Sequence, residues 1–390
     1  MSFGKPQSIQ VKFSNDEIQN MLNLSKAAPF PDKAPIDCDT PWKLGIDYQY
    51  LKNLKTKFET EWSWETLEKK IAKYDNYLIH YENGADVLDL HYVHVKSSRS
   101  DAIPLMLLHG WPGTFFDFHK VIDSLVNPPS AETPAFHVVV PSLPGYFLST
   151  LSRRDGFGPH DIAKLFNGLM TEALGYSKYT AQGGDWGSLI LRVMASTYPE
   201  SVSLSHYNMF VAPVDPNVDP STYSEVDKRY ISKFQEFSKT GNGYYVIQST
   251  KPFTIGIAIA SSPFAIITYI GEKIHGWSDP NLVDPQDILD TSALYYLSRS
   301  FPTSVMMYNQ AGLEFLNLRE PGKLLIKNKF GFSAFPFELG GAPRSGIATV
   351  GPLAYYKEHT SGGHFAALDV PKEFVEDLRE FFGQNWRKSS

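Results

Sequence analysis

Cysteine is almost absent: Cys38 stands alone in 390 residues. One thiol cannot close an internal disulfide, so the fold does not depend on oxidation. Cys38 itself reads as an inert side chain in a loop. Long hydrophobic runs are also missing. The most apolar stretch, Ile255 to Ile270, is shorter than the ~20 residues of a membrane span, and Ser261, Ser262 and Pro263 interrupt it. It reads as a pair of buried helices lining a pocket. Met1 to Pro6 has no apolar core of the kind a signal peptide needs, and Lys388-Ser389-Ser390 matches no sorting address. The expected location is therefore the cytoplasm. Positive charge is in deficit as well. A net charge of −6 with no basic run argues against a nucleic-acid partner. There is no internal repeat and no low-complexity tract, and the ordinary charged fraction does not indicate long disorder.

Apolar and aromatic residues are plentiful: 42% of the chain is hydrophobic and 14% aromatic. That suffices for one large α/β domain with insertions, or for two domains of ordinary size. Residues from about 15 to 75 are polar and helix-like. Asn15-Asp16-Glu17 predicts a helix start, with Asn or Asp as the cap. Trp62, Trp64, Leu67, Ile71 and Tyr74 are spaced for one helix face. From Tyr77 to Val95 the pattern alternates around Asn83-Gly84, which predicts a hairpin. Strand-type runs follow at Ile103–Leu108, Phe136–Pro141 and Tyr179–Gln182. Helical patterns follow them at Thr114–Leu125, His160–Leu174 and Ser188–Tyr198. Such alternation predicts parallel βαβ units covered on both faces. From about 215 to 330 the rhythm breaks into helix-rich, aromatic sequence, which reads as a cap over the strand ends. It resumes near Phe330 and closes with a helix at Pro371–Phe382.

Gln182-Gly183-Gly184-Asp185-Trp186-Gly187 falls between a strand and a helix and has the Gly-x-nucleophile-x-Gly form of a nucleophile elbow. The central residue is Asp, not Ser. By itself the segment is equally compatible with a Gly-rich turn and an Asp helix cap. A second signal is His109-Gly110-Trp111-Pro112-Gly113, directly after an apolar strand. A loop there supplies one backbone N–H of an oxyanion hole, and the residue after the nucleophile supplies the other. These are the N–H groups of Trp111 and Trp186. His109 reads as a structural hydrogen-bonding residue. The third signal is Ser361-Gly362-Gly363-His364-Phe365, a Gly-flanked His before the last helix, with Glu338 upstream at the end of a strand-like run. Asp185, Glu338, His364 is the order nucleophile, acid, base. His91 and His94 lie three apart on a strand, face opposite ways and make a poor metal pair.

A carboxylate is ionised at neutral pH and needs no base to activate it. It suits displacement at a saturated carbon, which leaves an alkyl ester on Asp185. Water activated by His364 then attacks the ester carbonyl, and Trp111 and Trp186 stabilise the oxyanion. Glu338 fixes the His tautomer. A strained ring oxygen would leave as a basic alkoxide unless a donor meets it, and Tyr hydroxyls can do so. The cap offers Tyr244 or Tyr245, and Tyr308.

At this point the residues match a family. The sequence resembles the microsomal-type epoxide hydrolases, and most closely their soluble fungal relatives, over essentially the whole chain. The motifs that carry the resemblance are HGWPG (109–113), GGDWG (183–187), GYYVIQSTKP (243–252), GFSAFPFE (331–338) and SGGHFAALDVP (361–371). The resemblance implies an α/β-hydrolase fold with a mostly parallel central sheet, a helical cap and an N-terminal meander. It implies an epoxide substrate and water, and neither metal nor organic cofactor. It puts the nucleophile on Asp185, the acid on Glu338, the base on His364 and the ring-opening tyrosines on Tyr244 and Tyr308. The choice of Tyr244 over Tyr245 comes from the resemblance alone. The expected segments are 1–95 (meander and first strands), 96–214 (first part of the core), 215–330 (cap) and 331–390 (second part of the core). Membrane-bound members carry an N-terminal anchor helix that is missing here, so a soluble form is expected. Related fungal enzymes can dimerise, which leaves a homodimer open.

One departure stands out. After Pro144-Gly145-Tyr146 many relatives have Gly, and here the residue is Phe147, expected to reshape the pocket wall. Three rival readings fit less well. A haloalkane dehalogenase shares the Asp nucleophile, but the paired cap tyrosines and Trp111 stand against it. A non-catalytic receptor predicts damaged catalytic residues. A serine esterase lacks Ser at the elbow, since Ser188 lies one turn into the helix.

Overall fold

The short apolar runs become adjacent strands of one sheet. The computed structural model describes residues 1–37, 40–212, 217–312, 320 and 322–386. Cys38 and the expected boundary at 214–215 lie outside the described residues. The strands are β1 (Ser2–Phe3), β2 (Gln7–Ile9), β3 (Asn76–Asn83), β4 (Asp86–Val95), β5 (Ile103–Leu108), β6 (Phe136–Pro141), β7 (Tyr179–Gly183), β8 (Val202–Tyr207), β9 (Phe330–Ala334) and β10 (Leu353–Glu358). They form one ten-stranded sheet in the order β1-β3-β4-β6-β5-β7-β8-β9-β10, with β2 also pairing β3. From β6 to β10 every neighbour is parallel, and β1 to β4 add an antiparallel flank. The central strands are covered on both faces. Leu105, Met106, Leu107 and Leu108 of β5 have no exposure at all, as a continuous apolar run requires. The arrangement is the α/β-hydrolase fold.

The hairpin forms, but one residue later than Asn-Gly alone sets it. Asn83 pairs with Asp86, so the two-residue loop is Gly84-Ala85. Gly84 has φ +63°, as Gly does at the first central position of a type II′ turn. The first long helix, Asn15–Ala27, is capped by Ser14 rather than by Asn15 or Asp16, and Ser14 forms a capping box with Glu17. In the helix Trp64–Ile71 the residues Trp64, Leu67 and Ile71 are buried, while Trp62 and Tyr74 flank it.

The expected helix over 114–125 is broken. A 3₁₀ turn at Phe115–Phe118 precedes a short helix at Ile122–Val126. The side chain of Asp117 folds back onto the Thr114 N–H (3.1 Å). Phe115, Phe116 and Phe118 are all buried, a pattern that no single amphipathic face can satisfy.

Between β8 and β9 the described residues contain helices and no strand. These include Glu225–Glu236, Gly243–Thr250, Pro252–Ala260, Pro263–Trp277, Pro285–Leu297 and Met307–Gln310. The apolar stretch 255–270 spans two of them, bent by 117°. Only the second is the buried helix expected. In the first, Pro252 and Gly256 are buried, but Phe253 and Ile257 are exposed. Among the described residues no single helix is long and apolar enough to cross a membrane.

Candidate active site

Asp185 sits where β7 gives way to the helix Asp185–Thr197. Its φ of +45° is a left-handed conformation that costs an L-residue roughly 1–2 kcal/mol. Glycine makes the turn feasible by absence of bulk. A Cβ on Gly187 would lie 2.2 Å from the Leu108 carbonyl oxygen, and one on Gly110 would lie 2.2 Å from Asp185 Oδ1. The helix N-terminus behind Asp185 favours negative charge at this point.

The loop after β5 closes over the carboxylate. The Trp111 N–H donates to Asp185 Oδ1 at 2.8 Å. Trp186 is the second residue of the helix that Asp185 opens, so its N–H belongs to the helix N-terminus. The Trp111–Pro112 peptide is cis. His109 holds this loop from below. The Leu143 N–H donates to its Nε2 at 3.0 Å, which leaves Nδ1 as the donor to Gly110 O, also 3.0 Å away. Burial pushes its pKa down to about 4, so it is neutral and serves as a brace.

Glu338 and His364 arrive on two loops that pair at a single bridge, Phe337 with Gly363. Glu338 is fully buried. Its Oε1 accepts from His364 Nδ1 at 2.6 Å and from the Leu339 N–H at 2.8 Å. His364 Nε2 then faces Asp185 Oδ2 at 3.4 Å. Burial alone pulls the imidazole pKa down. The charge of Glu338 and the hydrogen bonds to Asp185 and Glu338 outweigh this and push it up to about 10. The His364 loop is anchored to both layers. The His364 N–H donates to Trp277 O of the cap at 2.8 Å, and Asn208 Nδ2, beyond the end of β8, donates to His364 O at 3.1 Å.

Tyr244 and Tyr308 lie on the helices Gly243–Thr250 and Met307–Gln310, both buried, with ring centres 5.8 Å apart. Tyr244 stacks on Trp111 at 5.1 Å, and Tyr308 meets Trp186 edge-on at 4.9 Å. Burial first, reinforced at both by the charge of Asp185, holds their hydroxyls well above the usual phenol range. They therefore remain neutral donors. Tyr245 is only half-buried and touches Tyr308 at 5.6 Å. Ser188 donates to the Asp185 carbonyl at 2.7 Å, a local helix contact. Among the described residues no group of three or more His, Cys, Asp or Glu could hold a metal ion.

The structure brings the side chains of Asp185, Glu338, His364, Tyr244 and Tyr308 and the Trp111 N–H together, and sets Trp186 in the first turn of the helix that Asp185 opens. Sequence reasoning missed Asn208, Trp277 and Gln182, which hold or adjoin His364 and Asp185. Asn208 carried one usable signal, its position just beyond the carboxyl end of a parallel strand, where open α/β sheets build their sites.

Comparison with known proteins agrees in sequence and in structure. The model of the epoxide hydrolase N terminus matches residues 6–118, and that of the alpha/beta hydrolase fold matches 103–204. Epoxide hydrolase 1 of Sus scrofa is 31% identical over 96% of this chain and 88% of its own length. Juvenile hormone epoxide hydrolase 1 of Ctenocephalides felis is 30% identical over 96% and 86%. The structure of Aspergillus niger epoxide hydrolase superposes with a TM-score of 0.88 at 32% identity, covering 98% of this chain and 97% of that one.

Proposed function

This chain belongs to the epoxide hydrolase family, and we propose that Asp185, His364, Glu338, Tyr244 and Tyr308 carry its reaction through a covalent ester. The observation that carries the reading is that the carboxylate is divided between two jobs. Oδ1 is held by the Trp111 N–H, while Oδ2 lies toward His364 and is the oxygen left to attack. Attack by Oδ2 on a ring carbon breaks the C–O bond, and the departing oxygen takes its proton from Tyr244 or Tyr308. A neutral phenol is suited to that role because burial holds its proton in place.

Ester formation removes the charge of Asp185 and with it part of what holds the imidazole up. The change favours a neutral His364 in the step that needs a base. Water then gives its proton to Nε2 and its oxygen to the ester carbon. The negative charge develops on Oδ1, already beside the Trp111 N–H. Loss of one such donor costs about 10²–10³ in rate. Collapse breaks the Cγ–Oδ2 bond, and Oδ2 leaves in the diol with the proton from the imidazolium. The proton left on the new carboxyl group returns to the tyrosinate, which restores both the Asp185 carboxylate and the neutral phenol. No step calls for a metal or organic cofactor. The same reading carries a chain working in the cytoplasm, with a homodimer as the assembly to test by sedimentation.

The decisive experiment is a single turnover in heavy-oxygen water with a styrene-type epoxide. The heavy atom should appear in the Asp185 carboxyl group and not in the diol. His364→Gln should stop at the ester, visible as an adduct on the Asp185 peptide. Label in the diol with none in the protein would reject the ester mechanism. Replacing both Tyr244 and Tyr308 with Phe should nearly abolish ring opening.

A further inference from the structure

On the core side of Asp185, with neither Tyr244 nor Tyr308 in its wall, lies a small cavity of mixed lining, apolar at Leu108, Phe118, Phe365 and Phe374. Its walls include Gly110, Asp117, Gln182, Asp185, Asn208 and His364. About 30 Å³ of it is open to the centre of a water molecule, where one water needs roughly 10–15 Å³. We propose that this cavity holds the water that hydrolyses the ester, with Gln182 and Asp117 as its positioning residues. The proposal rests on the ester mechanism above and adds the source of its second reactant.

Gln182 is the strongest pointer. It is 1% exposed, and its Nε2 donates to Asn208 Oδ1 at 2.8 Å. Its Oε1 is buried with no partner in the protein. A buried amide oxygen without a partner is costly, and native proteins answer such atoms with ordered water. Asn208 carries the same contact on to the carbonyl of His364, so the amide is fixed relative to the base. Asp117 supplies the complementary donor. It is also buried, with Oδ1 accepting the Thr114 N–H. Burial pushes its pKa up to about 8, against that hydrogen bond and the charge of His364. At neutral pH its carboxyl is mostly protonated and can donate.

The placement solves a problem of access. In the proposed reaction the substrate meets Asp185 from the side of Tyr244 and Tyr308, so water held on that side would be displaced. Water on the core side touches both Asp185 and His364 while the ester occupies the other side. During hydrolysis its proton goes to His364 Nε2 and its oxygen bonds to the Asp185 carbonyl carbon. The ester's alkyl oxygen leaves and takes the proton back from the imidazolium. The proton left on the new carboxyl group passes to the tyrosinate formed in ring opening, so nothing else is consumed.

The test separates the two half-reactions. Rapid-quench mass spectrometry with a styrene-type epoxide reads ester formation and ester decay in the wild-type protein, Gln182→Met, Asp117→Val and Asp117→Asn. Asp117→Val removes the donor, whereas the amide of Asp117→Asn keeps both an acceptor for the Thr114 N–H and an N–H donor for the water. Gln182→Met and Asp117→Val should form ester within about twofold of the wild-type rate but lose it about tenfold more slowly or worse, the scale of a misplaced reactant. Ester would therefore accumulate in these two, and Asp117→Asn should restore its decay. Unchanged decay in both Gln182→Met and Asp117→Val, or formation slowed as much as decay, would overturn the proposal. A high-resolution crystal structure should show ordered water within hydrogen-bonding distance of Gln182 Oε1, and a dry cavity would overturn it too. If Gln182→Met does not fold, Asp117→Val against Asp117→Asn and the crystallographic water decide. His364→Gln runs in parallel. If it traps ester while Gln182→Met and Asp117→Val behave like wild type, only the water site fails. If it traps none, the ester mechanism itself fails.

Discussion

Phe147 shows how a single residue can be strained and stabilising at once. Its φ is +50°, which explains why glycine suits this position. Yet its ring is buried against Phe115 at 4.7 Å and His91 at 4.8 Å, so it contributes to core packing. Removing a buried Phe ring typically costs about 3–5 kcal/mol, against roughly 1–2 kcal/mol of backbone strain. Packing wins, so Phe147→Gly should destabilise. Phe147→Ala should be about 1 kcal/mol worse still, because it loses the ring and keeps the strain. Denaturant midpoints of the three proteins check this ranking. Glu338 allows a second residue-scale prediction. In the proposed ester mechanism His364 must be neutral to take a proton, so hydrolysis is lost as pH falls through its pKa. Glu338 raises that pKa, so Glu338→Gln should move the acid limb of the profile to lower pH. Activity should also fall by ~10²–10⁴-fold. A pH–rate profile with the limb unmoved would mean that another group sets it.

At the scale of elements, the junction of β7 with the helix Asp185–Thr197 sets two preferences against each other. Alanine favours a helix interior over glycine by roughly 1 kcal/mol. At Gly187, however, a Cβ would meet Leu108 O at 2.2 Å and His109 O at 2.8 Å. Both are backbone atoms of the β5 end and cannot swing aside. Gly187→Ala should therefore destabilise by about 1–3 kcal/mol and abolish turnover, because Leu108 leads directly into the Trp111 donor. Wild-type stability in a urea titration would contradict this. The same junction shows why some elements were legible and others not. Ile103–Leu108 and Phe136–Pro141 are uninterrupted apolar runs, and strands buried on both faces demand such runs. The 114–125 segment misled because its phenylalanines are buried by three-dimensional packing rather than on one face. Ser14 rather than Asn15 caps the first helix because a reciprocal partner, Glu17, lies three residues on. Asp185, Glu338 and His364 were readable as candidates from flanking glycines and chain order. Gln182 was not, and Asn208 only by its place past a strand end, because their meaning lies in contacts across the sheet.

At the scale of the molecule, the N-terminal segment, cap and core meet around buried charges. Asp290, on the cap helix Pro285–Leu297, has a side chain with no exposure. Its Oδ1 accepts from Trp62 Nε1 at 2.9 Å and Gln286 Nε2 at 2.7 Å, and its Oδ2 pairs with Lys70 at 2.8 Å. Trp62 and Lys70 belong to the N-terminal segment, so one carboxylate joins it to the cap. A second carboxylate on the same helix, Asp287, reaches His119 at 3.3 Å and Lys120 at 2.6 Å in the core. The helix is thus held from both sides, and the His364 loop is tied to the cap through Trp277 O. Asp290→Ala leaves the Trp62 N–H and the Lys70 ammonium without their acceptor. Breaking a buried charge pair in this way typically costs about 3–5 kcal/mol. Lys70 is a third exposed, so water recovers part of that, and a loss nearer ~2–3 kcal/mol is expected. Trp62→Phe keeps the Lys70 pair and most of the ring packing and should cost about 1 kcal/mol. The double variant tests coupling. If Asp290 works through Trp62, the two losses should fall short of additive by more than about 0.5 kcal/mol. Simple additivity would mean that Asp290 acts through Lys70 and not through Trp62.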